Sequence, residues 1–134
     1  MQTRSLKDLV HFDPGDVRRE TLFETGNLFS EVLCFDAKQF VGPMEDPEAD
    51  AVFTVLAGEG RFNVGRRSKT LRQWGTVLVP AGSEVTVINL HDEPMVVLMV
   101  ASPPPLALEL ELELDEGDTD VEDAGADGGG ADEA

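Results

Sequence analysis

Cysteine, histidine, lysine and tryptophan are all scarce in this 134-residue chain, and each scarcity removes a class of function. The single cysteine, Cys34, rules out an internal disulfide. It lies in an apolar run, where a buried free thiol is the expected state, and no base near it in sequence marks it as a nucleophile. There are only two histidines, His11 and His91, and neither falls in the spaced motifs of residues 40–89. His11, between Val10 and Phe12, reads as a packed or surface residue. Trp74, the only tryptophan, reads as a packing residue of the core or rim. No run approaches 18 apolar residues, and the opening MQTRSLKDLVHFDPGD has no apolar stretch of the secretory kind. Membrane spanning and secretion are therefore not expected, which leaves the cytoplasm. Cations are few, ten Lys and Arg against 27 Asp and Glu, for a net charge of −17. Phosphate backbones and anionic bilayers both need a cationic face, so neither nucleic acid nor membrane is an expected partner.

What the chain does have is unevenly placed. Residues 106–134 hold 12 of the acids and no Lys or Arg, so residues 1–105 carry 15 acids against 10 bases. Seven of those bases are Arg and three are Lys. Few lysines with many carboxylates is similar to the composition of a salt-in halophile. At about 1 M salt the Debye length is only about 3 Å, and repulsion among such carboxylates is screened.

The length suits one domain with a substantial core. Residues 1–17 form a lead-in that anchors through Leu9, Val10 and Phe12 or adds an edge strand, with a turn at Asp13-Pro14-Gly15-Asp16. Short runs rich in Val, Phe, Ile and Thr, separated by glycine, proline and charge, predict strands at 18–24, 28–36, 51–56, 61–64, 69–74, 76–79, 84–90 and 95–101. Residues 37–43 read as a connection and 65–68 as a turn. In the second strand Leu28, Val32 and Cys34 fall on one face and Phe29, Glu31, Leu33 and Phe35 on the other, which suits a strand covered on both sides. Pro103-Pro104-Pro105 ends the domain. Residues 106–114, LALELELEL, have leucine at every even position. That period is a strand's, although Leu, Ala and Glu favour helix. An extended, sheet-augmenting segment is expected, with a neighbouring subunit's edge strand as one partner. Residues 115–134, acidic and Gly-rich, are expected to be disordered.

Residues 40–89 carry two spaced motifs. Pro43-Met44-Glu45-Asp46-Pro47-Glu48-Ala49-Asp50-Ala51 is followed, after six residues, by Gly58-Glu59-Gly60, and Pro80-Ala81-Gly82 leads, seven residues on, to Asn89. Over residues 20–102 this pattern resembles a small single-domain cupin. The resemblance implies an all-β fold: a cupin-type antiparallel β-barrel, also described as a double-stranded β-helix or jelly roll, over residues 18–105. Trp74 takes the place of the second motif's opening glycine. The positions that hold a metal in metal-binding cupins are here Met44, Asp46, Ala51 and Val85. A thioether, one carboxylate and two aliphatic groups make a poor donor set for a hard or borderline divalent ion, so no metal and no other cofactor is expected. An alternative set built from Glu45, Asp46 and a loop histidine stays open.

In the same register the interior is lined by Met44, Asp46, Ala51, Phe53, Val85 and Val87, with some of Cys34, Phe35, Met95 and Met99. Asp46 is the one acid among them, expected to point inward. Such a lining either fills the barrel or takes a small, mostly apolar ligand anchored by Asp46. The rest of the acidic loop 45–50 reads as solvated surface. The function expected is non-catalytic: a small-molecule-binding, sensing or assembly module, a homodimer by analogy. The alternatives are a divergent cupin enzyme of the isomerase, epimerase or oxygenase type, metal-independent or with a relocated metal, and an interaction protein acting through the acidic tail or the leucine stripe.

Overall fold

A computed structural model describes residues 1–105; the readings made for 106–114 and 115–134 lie outside the described residues. A short 3-10 helix, Leu6–Leu9, precedes nine strands. These are β1 (Arg18–Glu24), β2 (Phe29–Phe35), β3 (Phe40–Met44), β4 (Asp50–Ala57), β5 (Glu59–Val64), β6 (Arg67–Arg72), β7 (Thr76–Val79), β8 (Val85–Ile88) and β9 (Met95–Ser102). One sheet has the order β1-β2-β9-β4-β7 and the other β3-β8-β5-β6, with antiparallel pairing throughout. This is the predicted all-β, cupin-type architecture.

The pleat decides what is inside. Alternate residues of a strand face opposite ways, and register carries that choice across the sheet. Leu33 lies opposite Val97, and Val97 opposite Val55; Phe53 lies opposite Met99. These residues, with Phe29, Phe35, Phe62, Val79, Val85, Val87, Met95 and Ala101, form the buried core between the sheets. Phe53 and Phe62 meet edge-to-face across it, centroids 6.1 Å apart. At one end the core is closed tightly. A Cβ on Gly60 would lie 2.5 Å from Met95 Sδ and 2.6 Å from the Ile88 carbonyl, so only glycine lets β5 approach so closely. At the other end Gly42, at φ 115, lets β3 pass against β8, where a Cβ would lie 2.7 Å from the Val85 carbonyl.

The even-numbered side chains of β2 face outward and are buried too. Val32 and Cys34 join Val96 and Leu9 in a second cluster, against which Leu6, Val10, Leu22, Leu56 and Leu98 pack. The lead-in therefore anchors through Leu9, the first of the two expected roles, and covers the sheet as a 3-10 turn rather than adding an edge strand. Phe12 stays exposed, and so does His11, whose Nε2 lies 3.1 Å from the Asp8 carbonyl.

Four sequence expectations are corrected. Residues 40–44 are a strand although Gly42 and Pro43 interrupt them: β3 ends its sheet, where proline leaves no ladder donor missing. The sixth strand is Arg67–Arg72 rather than 69–74, with the turn before it confined to Gly65-Arg66. Cys34 faces outward under the lead-in rather than into the barrel. Trp74 packs into neither core nor rim. It is 71% exposed and adopts φ 75, the left-handed conformation that the motif's glycine serves. Its N–H donates to the Val55 carbonyl at 2.7 Å, which fixes the turn into β7.

Trp74→Gly should therefore raise stability by about 1 kcal/mol in urea unfolding, since it removes left-handed strain and almost no packing. Burial pushes the Cys34 thiol above its ordinary range, an effect that the Glu20 charge reinforces and that a His11 backbone contact and Arg18 oppose. The stability tied to this group is complete below the ordinary thiol value and lost as pH rises through the raised one. Iodoacetamide at neutral pH should modify Cys34 only as fast as the lead-in detaches, so denaturant should accelerate labelling.

Candidate functional site

The inner row of β2 reads Phe29, Glu31, Leu33, Phe35, and one of these four is a carboxylate. Glu31 is 4% exposed, and charged groups are rarely so buried unless paired. Its partner comes from β1. Arg19 lies opposite Leu33, on the same face. Its Nη2 meets Glu31 Oε2 at 2.6 Å and its Nε meets Oε1 at 3.3 Å, a two-pronged contact that satisfies both carboxylate oxygens. The Arg19 Nη1 also lies 3.8 Å from Met44 Sδ on β3. β1 and β3 are terminal strands of the two different sheets. One guanidinium thus spans the seam where the sandwich would otherwise gape, with its side chain 29% exposed to solvent.

Of the expected site residues, Met44 lies at this seam and the others fall elsewhere. Met44 lies opposite Val85 in the β3–β8 ladder; Met44 is half-buried and Val85 is 5% exposed. Ala51 packs half-buried against the core, between Val79 and Ala101. Phe53, Val87 and Met99 fill the middle of the core, and Met95 fills the closed end. Asp46 is half-buried, and its Oδ1 accepts the backbone N–H groups of Glu48 at 2.9 Å and Ala49 at 2.8 Å. Its carbonyl accepts from Gly82 N, and Asp50 Oδ1 accepts from Ala81 N, both at 2.8 Å. Two acids of the 45–50 loop therefore tie the mouth together through backbone donors, while Glu45 and Glu48 stay exposed. Among the described residues no group of three or more His, Cys, Asp and Glu side chains converges.

Asn89, the motif's asparagine, is 1% exposed and serves the opposite end. Its Nδ2 donates to the Asp36 and Glu93 carbonyls, and its Oδ1 accepts from His91 N. Beyond it Gly58, Glu59, Arg72, Gln73, His91 and Glu93 line an open cleft of about 550 Å³. Glu59 there meets His91 at 3.3 Å and Arg72 at 3.6 Å; Arg72 is 84% exposed, and ion pairs so wet contribute little.

Sequence reasoning named Met44 and Asp46 but missed the Arg19–Glu31 pair beside Met44. The signal was present, because Glu31 stood in an otherwise apolar period-two row. The partner was not visible, since nothing in residues 18–24 distinguishes Arg19 from Arg18, whose Nη2 instead meets Glu20 on its own strand at 2.6 Å.

A family model described as a cupin domain matches residues 32–101, 70 of the 134. The chain belongs to the cupin family. Solved structures agree on the fold of this cupin. The TT1209 protein of Thermus thermophilus is 24% identical, with a TM-score of 0.75 over 78% of this chain and 100% of its own. An RmlC-like cupin of Desulfovibrio desulfuricans is 25% identical, with a TM-score of 0.70 over 78% and 98%. KdgF from a Halomonas species is 15% identical, with a TM-score of 0.65 over 73% and 88%. A search of curated proteins finds no match.

The pair should matter to stability on its own. Arg19→Ala would leave Glu31 buried and short of its cation, at a cost of about 2–3 kcal/mol, below the figure for a fully enclosed pair because water reaches Arg19. Replacing both with Met and Leu should restore most of the loss, as chemical denaturation of the single and double variants would report.

Proposed function

We propose that this cupin is a non-catalytic small-molecule-binding module whose ligand enters at the β1–β3 seam. The observation that carries the reading is a partly exposed guanidinium, that of Arg19, held on the inner face by a buried carboxylate beside Met44. The ligand that suits it is small and mostly apolar. Its polar group meets Arg19 or Asp46, with Glu31 holding Arg19 in place, and its body rests on Met44, Ala51 and Val85. Phe53, Val87 and Met99 form the floor beneath it, and Met95 closes the far end of the core. A floor of fully packed side chains favours binding at the mouth over binding deep in the barrel. Neither a metal nor an organic cofactor is part of this reading, and the donor chemistry at Met44, Ala51 and Val85 supports that.

A thermal-shift screen of the full chain tests the proposal, using small amphiphilic acids, amines and alcohols alongside divalent cations. A true ligand at about a hundredfold its Kd should add about 2.7 kcal/mol of stability. The shift should vanish in Asp46→Asn, which keeps the oxygen that the Glu48 and Ala49 N–H groups need, and in Arg19→Lys, which keeps the charge but loses the fork. Stoichiometric iron, manganese, nickel or zinc in the purified protein, or turnover of a hit compound, would replace this reading with the enzymatic one.

A further inference from the structure

Four strands end the two sheets: β1 and β7 in one, β3 and β6 in the other. Each leaves one row of backbone N–H and C=O groups without a strand partner, and such a row pairs readily with another chain. Three of these edges are interrupted or short. The β1 register breaks between Thr21 and Phe23, and Arg4 Nη1 donates to the Thr21 and Leu22 carbonyls there. β3 contains Pro43 and a register break between Val41 and Met44. β7 has only four residues. β6 pairs with β5 in unbroken register and is exposed at every residue but Leu71.

The alternation of the β5–β6 ladder decides which groups of β6 face outward. The two-residue turn Gly65-Arg66 closes on the Val64–Arg67 pair. In so tight a hairpin the closing pair exchanges both hydrogen bonds, and bonded and non-bonded pairs then alternate. Lys69 and Leu71 therefore bond to β5, whereas Ser68, Thr70 and Arg72 turn their N–H and C=O groups away from it. The Arg72 carbonyl accepts from Gly75 N at 2.8 Å, as that direction requires. The side chains of Arg67, Lys69 and Leu71 share one face, that of their partners Val64, Phe62 and Gly60.

Charge sets this edge apart. No Asp or Glu occurs between Glu59 and Glu84, and Arg61, Arg66, Arg67, Lys69 and Arg72, five of the chain's ten Lys and Arg, fall in that interval. Arg72 lies 3.6 Å from Glu59, and among the described residues the other four have no ion pair. Charge on an edge strand keeps like edges apart, yet a chain with 27 acids has the opposite sign in plenty for that purpose. Unpaired cations beside a free ladder, in such an excess of carboxylate, suit an acidic strand. At physiological salt the Debye length is about 8 Å, so these local cations outweigh more distant negative charge. Nucleic acid could use the charge alone; an extended peptide uses both the charge and the row of N–H and C=O groups.

We propose that β6 accepts an extended acidic segment of a partner protein as an added strand, antiparallel like every other pair in the molecule. Arg67 and Lys69 then fall in non-bonded pairs, where opposed side chains come closest. Two carboxylates at alternate positions of the partner meet them, and an apolar residue meets Leu71, which already packs on the core. Read from its N-terminus, the recognised pattern is apolar, any, acid, any, acid. The inference is independent of the ligand reading, since β6 lies at the opposite edge of its sheet from β3.

Titration of the isotope-labelled full chain with the synthetic peptide Thr-Val-Thr-Glu-Thr-Glu-Thr, followed by amide NMR, tests it. The Ser68, Thr70 and Arg72 amide signals should shift together and saturate. Arg67→Glu combined with Lys69→Glu should weaken binding by about tenfold, since two attractive cross-strand pairs become repulsive. Thr70→Pro removes an N–H that β5 does not use, and should abolish the shifts in a variant that still unfolds cooperatively in urea. The absence of saturating shifts at these amides overturns the proposal, as does undiminished binding to the charge-reversed variant. Binding of heparin or oligothymidylate as tight as that of the peptide overturns it in favour of a general polyanion patch. Shifts at the same amides that grow with protein concentration alone overturn it in favour of a second copy at this edge.

Discussion

A strand buried on both faces governs this molecule. All seven residues of β2 are buried, the odd ones on the side between the sheets and, of the even ones, Val32 and Cys34 beneath the lead-in. Full burial on two sides leaves almost no tolerance for a polar side chain, and a one-residue slip would exchange the two clusters. Glu31 is the exception that this constraint makes informative. On a half-exposed strand a glutamate explains itself; here it needs a cation, and Arg19 supplies one across the β1–β2 register. Reaching Glu31 also carries the guanidinium to Met44 on the other sheet, so one buried carboxylate fixes a contact between sheets that no backbone ladder joins at that edge.

Much of the fold was legible because its signal is local. Strands β1, β2, β4, β7, β8 and β9 announce themselves by β-branched and aromatic residues bounded by turn chemistry, and the two motifs place the turns between them. β3 was hidden because Phe-Val-Gly-Pro-Met contains two residues that elsewhere end strands, and only its terminal place in the sheet makes them harmless. β6 was misplaced by two residues because Arg-Ser-Lys-Thr-Leu-Arg has no apolar alternation to mark its ends. Trp74 misled for the opposite reason. A large aromatic beside a strand suggests burial, but the backbone there needs a left-handed residue, and that requirement turns the ring outward.

The site was half legible. The cupin resemblance singled out Met44, Asp46, Ala51 and Val85, and register brings Met44 and Val85 face to face. Spacing within one segment could not bring in a residue from β1, because the Arg19–Met44 contact joins positions 25 apart in sequence. Nor could spacing show that Asp46 Oδ1 accepts from the loop's own Glu48 and Ala49 N–H groups. The acids of 45–50 show how a charge-rich loop can be structural: two of the four act as acceptors that close turns.

Asn89 has one more consequence. By holding three backbone groups around a single buried amide, it anchors the end of the sandwich that carries no ligand positions of the motif. The architecture thereby divides into a locked base and a rim joined by short side-chain-to-backbone links. Descendants of such a fold can exchange rim chemistry while the base preserves the shell, so kinship in shape outlasts kinship in what is bound.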